Sequence, residues 1–185
     1  MALTKILRYL TYKVAALRRI ALSLRHNIQI EHGTIIEPGV TLRVQSGGRI
    51  FIGKNCYISK GVQLLTHGGD IIIGAHCSVN PHTIIYGQGG VIIGEGTRIA
   101  AHCCIVPANH NYSDPDVYIY KQGSTKIGII IEEDVWLGAG VKVLDGVTIR
   151  RGCVVGANAV VTHDTDAYGI YVGVPAKLIK TRKNE

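Results

Sequence analysis

The residues with the clearest chemical capacity in this sequence are histidines and cysteines. His110 stands in the polar stretch Pro107-Ala108-Asn109-His110-Asn111-Tyr112-Ser113-Asp114-Pro115. An imidazole takes up a proton near neutral pH, so beside a hydroxyl or an amine it would serve as a general base. The five cysteines, Cys56, Cys77, Cys103, Cys104 and Cys153, are odd in number and form no Cys-x-x-Cys pair. They suggest neither a zinc site nor a disulfide framework.

The pattern that must position these residues has a step of six. Ile131, Leu137, Val143, Ile149, Val155 and Val161 are branched aliphatics at that step, and two residues before each stand Ile129, Val135, Val141, Val147, Cys153 and Ala159. A period of six fits neither a helix nor an ordinary strand. The first half carries the same step in blocks of three: Ile30, Ile36, Leu42; Ile52, Ile58, Leu64; Ile73, Val79, Ile85; Ile93, Ile99, Ile105. The blocks begin 22, 21 and 20 residues apart, so three six-residue faces plus a short corner insertion close each turn of a triangular solenoid. One coil cannot bury its inward side chains alone, whereas stacked coils share a continuous core and pair as parallel strands. Cys56, Cys77, Cys103 and Cys153 each follow a six-step position by four residues and read as small apolar fillers beside the axis. The repeat breaks once, between Ile105 and Ile131, where residues 107–126 form a polar excursion that contains His110. Such excursions from a rigid scaffold are where function concentrates.

With Gly138-Ala139, Gly156-Ala157 and Gly173-Val174-Pro175-Ala176 completing the pattern, residues 28–180 resemble the hexapeptide-repeat acyltransferases. The resemblance implies an all-β fold, a left-handed parallel β-helix, whose hand is an exception to the usual right-handed crossover. His110-Asn111-Tyr112 with Asp114-Pro115, followed later by Val135-Trp136-Leu137-Gly138, is similar to the sugar O-acetyltransferase branch, which includes galactoside, maltose and surface-polysaccharide acetyltransferases. In that branch the histidine at the position of His110 deprotonates the acceptor hydroxyl, which attacks the acetyl-CoA thioester directly. No covalent acyl-enzyme and no metal are implied.

Asn80 matches an asparagine that helps hold the acceptor, although the residue alone is equally a corner asparagine bonding its own backbone. Trp136 matches a tryptophan beside the active site, where a lone tryptophan on a flat face would otherwise cover a subunit contact. For acetyl-CoA the resemblance assigns the backbone of Ala139 and Ala157, then Thr162, His163, Lys177 and Lys180, with the lysines against the phosphates. Some members carry serine in place of Ala139 and lysine in place of His163. An oxyanion contact at Ala139 then falls to its backbone N–H, and a phosphate contact at His163 is put in doubt. A homotrimer with sites between subunits is also implied, a closed symmetry that suits a prism. The gamma-class carbonic anhydrases share this fold and hold zinc through three histidines. Their closely spaced pair is absent here, since eight positions separate His102 from His110, although His82 and His102 could stack in neighbouring coils.

Residues 1–27 read as a basic amphipathic helix. Ile6, Leu10, Val14, Leu17, Ala21 and Leu24 recur at spacings of three and four, and that face is expected to cap the first coil. The net charge of +7 arises largely here, because Lys5, Arg8, Lys13, Arg18, Arg19 and Arg25 all precede Glu31, the first acidic residue. Peripheral contact with an anionic membrane is the alternative role. No zinc-finger spacing, RNP motif or helix-turn-helix favours nucleic acid. The apolar run 14–24 is too short to span a bilayer and lacks a cleavage site, which with reduced cysteines points to the cytoplasm or the inner membrane face. Residues 181–185 read as a tail. The expected activity is acetyl-CoA-dependent O-acetylation of a sugar, set against N-acetylation of an amino sugar nucleotide and a non-catalytic scaffold.

Overall fold

In the computed structural model, which describes residue 14 and residues 17–182, the six-step pattern becomes three parallel β-sheets wound around one core. The first sheet stacks Ile28–Ile30, Ile50–Ile52, Ile71–Ile73, Val91–Ile93, Ile129–Ile131 and Thr148–Ile149. The second runs from Ile35–Ile36 through Ser78–Val79 and Trp136–Leu137 to Val154–Val155, and the third from Thr41–Arg43 through Cys104–Val106 to Val160–Val161. Coils pair in register, Ile28 opposite Ile50, Ile50 opposite Ile71, Ile71 opposite Val91, Val91 opposite Ile129 and Ile131 opposite Ile149.

Each face turns two side chains inward around an outward one, as in Ile71-Ile72-Ile73, where the outer pair is fully buried. Every six-step residue is buried in the same way. Cys56, Cys77, Cys103 and Cys153 are free and buried, as expected of fillers. Their thiols also reach carbonyl oxygens of the next turn, Cys56 Sγ to Gly74 O at 3.0 Å and Cys103 Sγ to Gly138 O at 3.3 Å. Thr34 takes an inward position and donates to the Gly53 carbonyl at 2.6 Å, which satisfies a hydroxyl that burial would otherwise penalise.

The corners differ in what they tolerate. From the first sheet to the second, and from the second to the third, the six-step spacing never varies; all variation in coil length enters at the third corner, between the third sheet and the next coil. At the second corner one residue per coil takes a left-handed conformation: Gly39 (φ 83°), Gly61 (75°), His82 (61°), His102 (60°), Gly140 (72°) and Asn158 (59°).

Two features lie beyond what the six-step pattern specifies. Residues 17–23 are helical, with Leu22 against the core, the Arg19 guanidinium 3.5 Å from the Ile30 carbonyl and Ala21 beside Leu42 of the first coil, while the larger side chains of the described stripe point to solvent. Val14, Leu17 and Leu24 are 62%, 68% and 83% exposed. Periodicity defines a face but not its partner. Here the turn that follows, in which Arg25 N–H donates to Leu22 O and Ile28 N–H to Arg25 O, fixes the helix rotation and presents Leu22 instead. Ile6 and Leu10 lie outside the described residues. The repeat also ends earlier than residue 180: Gly169–Val172 pairs parallel with Val154–Val155, then Lys177–Thr181 folds back antiparallel and closes the second sheet.

Candidate active site

His110 stands on the third corner. Strand Cys104–Val106 carries the chain out of the third sheet, and Asn109–His110 pairs antiparallel with Ser124–Thr125 to form a short ribbon on the way back to Ile129. Asn111 N–H donates to Gly123 O at 3.1 Å, and the Asn111 side chain donates to Gln122 O at 3.0 Å. The far part of the loop hangs on one side chain. The Gln122 amide donates to Asp114 O at 2.8 Å and Val117 O at 2.6 Å, while its carbonyl accepts from Asp114 N–H at 3.1 Å. Sequence reasoning missed Gln122, because a loop polar residue carries no period by which to single it out.

The result is an exposed imidazole on a backbone that is tied in place, lining an open cavity of about 470 Å³ with Asn109, Tyr112, Gln122 and Thr125. Tyr118 and Tyr120 project from the same loop with rings 5.9 Å apart and 15° from parallel, the Lys121 ammonium 5.7 Å from each. Burial pushes the thiols of Cys103 and Cys104, the cysteines nearest the base of the loop, above their ordinary range, so neither is an activated nucleophile.

The other expected site residues fall in two places. Asn80, Ala139 and Ala157 stack on the second corner, with Trp136 on the adjoining second sheet. The Asn80 side chain donates to Ile99 O of the next coil at 2.8 Å, not to its own backbone. Trp136 is 54% exposed between Arg98 and Val154. The backbone N–H groups of Ala139 and Ala157 have no acceptor among the described residues, and both residues are exposed. Lys177 and Lys180 are exposed on the closing strand of this sheet. Thr162 and His163 instead follow the third sheet, on the corner that carries the loop, with Thr162 Oγ1 2.8 Å from His163 Nδ1. One chain therefore gathers His110, Thr162 and His163 on one corner, and Asn80, Trp136, Ala139 and Ala157 about another. His82 and His102 stack with centroids 5.3 Å apart and planes 14° from parallel, which turns ring faces rather than nitrogens toward each other.

Residues 128–163 match the family described as bacterial transferase hexapeptide (six repeats). A Mycobacterium tuberculosis protein named as an acetyltransferase is 34% identical over 74% of this chain, which spans only about half, 51%, of that relative. AntD of Bacillus cereus, an N-acyltransferase solved with dTDP and coenzyme A, superposes with a TM-score of 0.75 over 91% of this chain and 89% of its own, and at 24% identity it speaks for the fold alone. Escherichia coli WbbJ, named as a lipopolysaccharide biosynthesis O-acetyl transferase, is 33% identical over 94% of this chain and 83% of its own length. A likeness that runs through nearly all of both chains, on a solenoid whose every six-step residue is buried, makes this chain a member of the hexapeptide-repeat acyltransferase family.

Proposed function

We propose that the chain is an acetyl-CoA-dependent O-acetyltransferase that moves an acetyl group directly onto a sugar hydroxyl in surface polysaccharide or lipopolysaccharide biosynthesis, working in the cytoplasm. The observation that carries this reading is His110, an exposed imidazole on a hydrogen-bonded ribbon at the longest excursion from the solenoid wall. The imidazole takes the acceptor proton as the hydroxyl oxygen attacks the thioester carbonyl. The free N–H of Ala139 stabilises the oxyanion. The carbon–sulfur bond then breaks, and the proton held on His110 passes to the leaving thiolate, giving a sugar ester and coenzyme A. Asn80 and Trp136 hold the acceptor; Ala157, Thr162, His163, Lys177 and Lys180 hold the donor.

The stacked Tyr118 and Tyr120 rings support a sugar acceptor, because flat aromatic faces suit the apolar faces of sugar rings. The name of the E. coli relative supports oxygen over nitrogen. Two groups of site residues on different corners support a homotrimer in which the loop of one copy meets the second corner of the next. The test is acetyl transfer to a panel of sugars, sugar nucleotides and amino sugar nucleotides, with thiol release measured and the product exposed to mild base. A base-labile product is the expected ester. A base-stable amide on an amino sugar would replace the oxygen reading, and absence of any transfer would leave a scaffold.

A further inference from the structure

At the N-terminal end of the solenoid two features meet that acetyl transfer does not use. The first is the outward face of the helix. Val14, Leu17, Ile20 and Leu24 are 62%, 68%, 50% and 83% exposed, and their spacing of three and four places them in one strip. The second is an open cavity of about 540 Å³ between that helix and the first coil, lined by Arg18, Arg25 and Arg43 beside Ala21, Leu22 and Leu42. No carboxylate lines it. Among the described residues none of the three guanidinium groups forms an ion pair, and Arg18 Nε is buried without an acceptor.

Three unpaired guanidinium groups around one cavity select an anion, and their planar fork of donors matches a phosphate oxygen pair. An exposed aliphatic strip on a basic helix matches the boundary between lipid headgroups and acyl chains. We propose that this end of the molecule docks on an anionic bilayer, with the strip in the interface and the Arg18–Arg25–Arg43 cavity on a phospholipid headgroup phosphate. Charge complementarity decides the occupant. No acidic residue precedes Glu31, so a second copy would set like charges against one another, whereas an anionic leaflet attracts each arginine.

The experiment is sedimentation of the full chain with vesicles of phosphatidylcholine, alone or mixed with phosphatidylglycerol, at low and high salt. Binding to the mixed vesicles only, weakened by salt, is expected. Leu17→Glu with Leu24→Glu should lower partitioning by about tenfold or more without changing the melting temperature, since both side chains are exposed. Arg18→Gln with Arg43→Gln should lose on the order of fivefold per arginine and much of the preference for phosphatidylglycerol. Equal binding to pure phosphatidylcholine, or undiminished binding by the double glutamate variant, would overturn the proposal. So would complete displacement by inorganic phosphate while that variant still binds, which would mark a site for soluble phosphate. Self-association lost in the glutamate variant, with no vesicle binding by the parent, would assign the strip to a second copy.

Discussion

At the scale of single residues, the side chain proposed to act as base lies outside the buried core. His110 is held by its backbone, through pairing with Ser124, and its side chain makes no hydrogen bond among the described residues. His110→Ala should therefore fold with an unchanged melting temperature and bind acetyl-CoA as the parent does, while turnover falls by about 10²–10⁴-fold, the usual loss when a positioned general base is removed. Calorimetry and a thiol-release assay on one preparation measure both halves. Turnover within a fewfold of the parent would assign the proton to another residue. The loop that carries His110 was legible because a polar run interrupts a strict period there. Gln122, which ties the loop through three hydrogen bonds, was not, because its partners are backbone groups that any sequence supplies.

At the scale of elements, the wall was legible almost residue by residue. A side chain every six residues and another two before it must turn inward if coils are to stack, and Ile131 to Val161 do so without exception. The helix rotation was not legible, since Leu22 and Ala21 rather than the larger side chains of the aliphatic stripe meet the first coil and only the turn at 24–27 decides it. Nor was the closing hairpin, which begins where the six-step ends. The corners offer a test that separates two roles of glycine. A Cβ on Gly94 would stand 2.5 Å from the Glu133 nitrogen of the next coil, whereas one on Gly96 meets nothing within 4 Å but must take φ 74°. Gly94→Ala should thus cost about 1–3 kcal/mol by wedging coils apart, and Gly96→Ala about 1–2 kcal/mol from backbone strain alone. Gly96→Asn should recover most of the latter, because Asn55 and Asn158 hold that conformation at φ 56° and 59°. Chemical denaturation of the three variants decides, and an equal loss for Gly96→Asn and Gly96→Ala would show that strain is not the cause.

At the scale of the whole molecule, the division of site residues between corners makes subunit exchange informative. If a working site joins the loop of one copy to the second corner of another, His110→Ala and Trp136→Ala proteins, each nearly inactive, should recover activity when unfolded together and refolded as mixed oligomers. Random mixing then leaves a fraction of sites with both residues intact. Light scattering should report a trimer before and after. Mixed oligomers as inactive as their parents would place the whole site within one chain and end the shared-corner reading.

The corner that absorbs every change in coil length also governs how such a protein can change over evolutionary time. Ile28 faces Ile50 as Ile50 faces Ile71, so loss of residues 50–70 would bring Ile28 opposite Ile71 with both neighbouring faces still in phase. Duplication or excision of a segment that begins and ends at equivalent points alters only the height of the stack. Insertion at the third corner alters only what projects from it. The scaffold thus separates two kinds of heredity, one in whole coils that sets its height and one in loops that sets its chemistry, and neither need disturb the other.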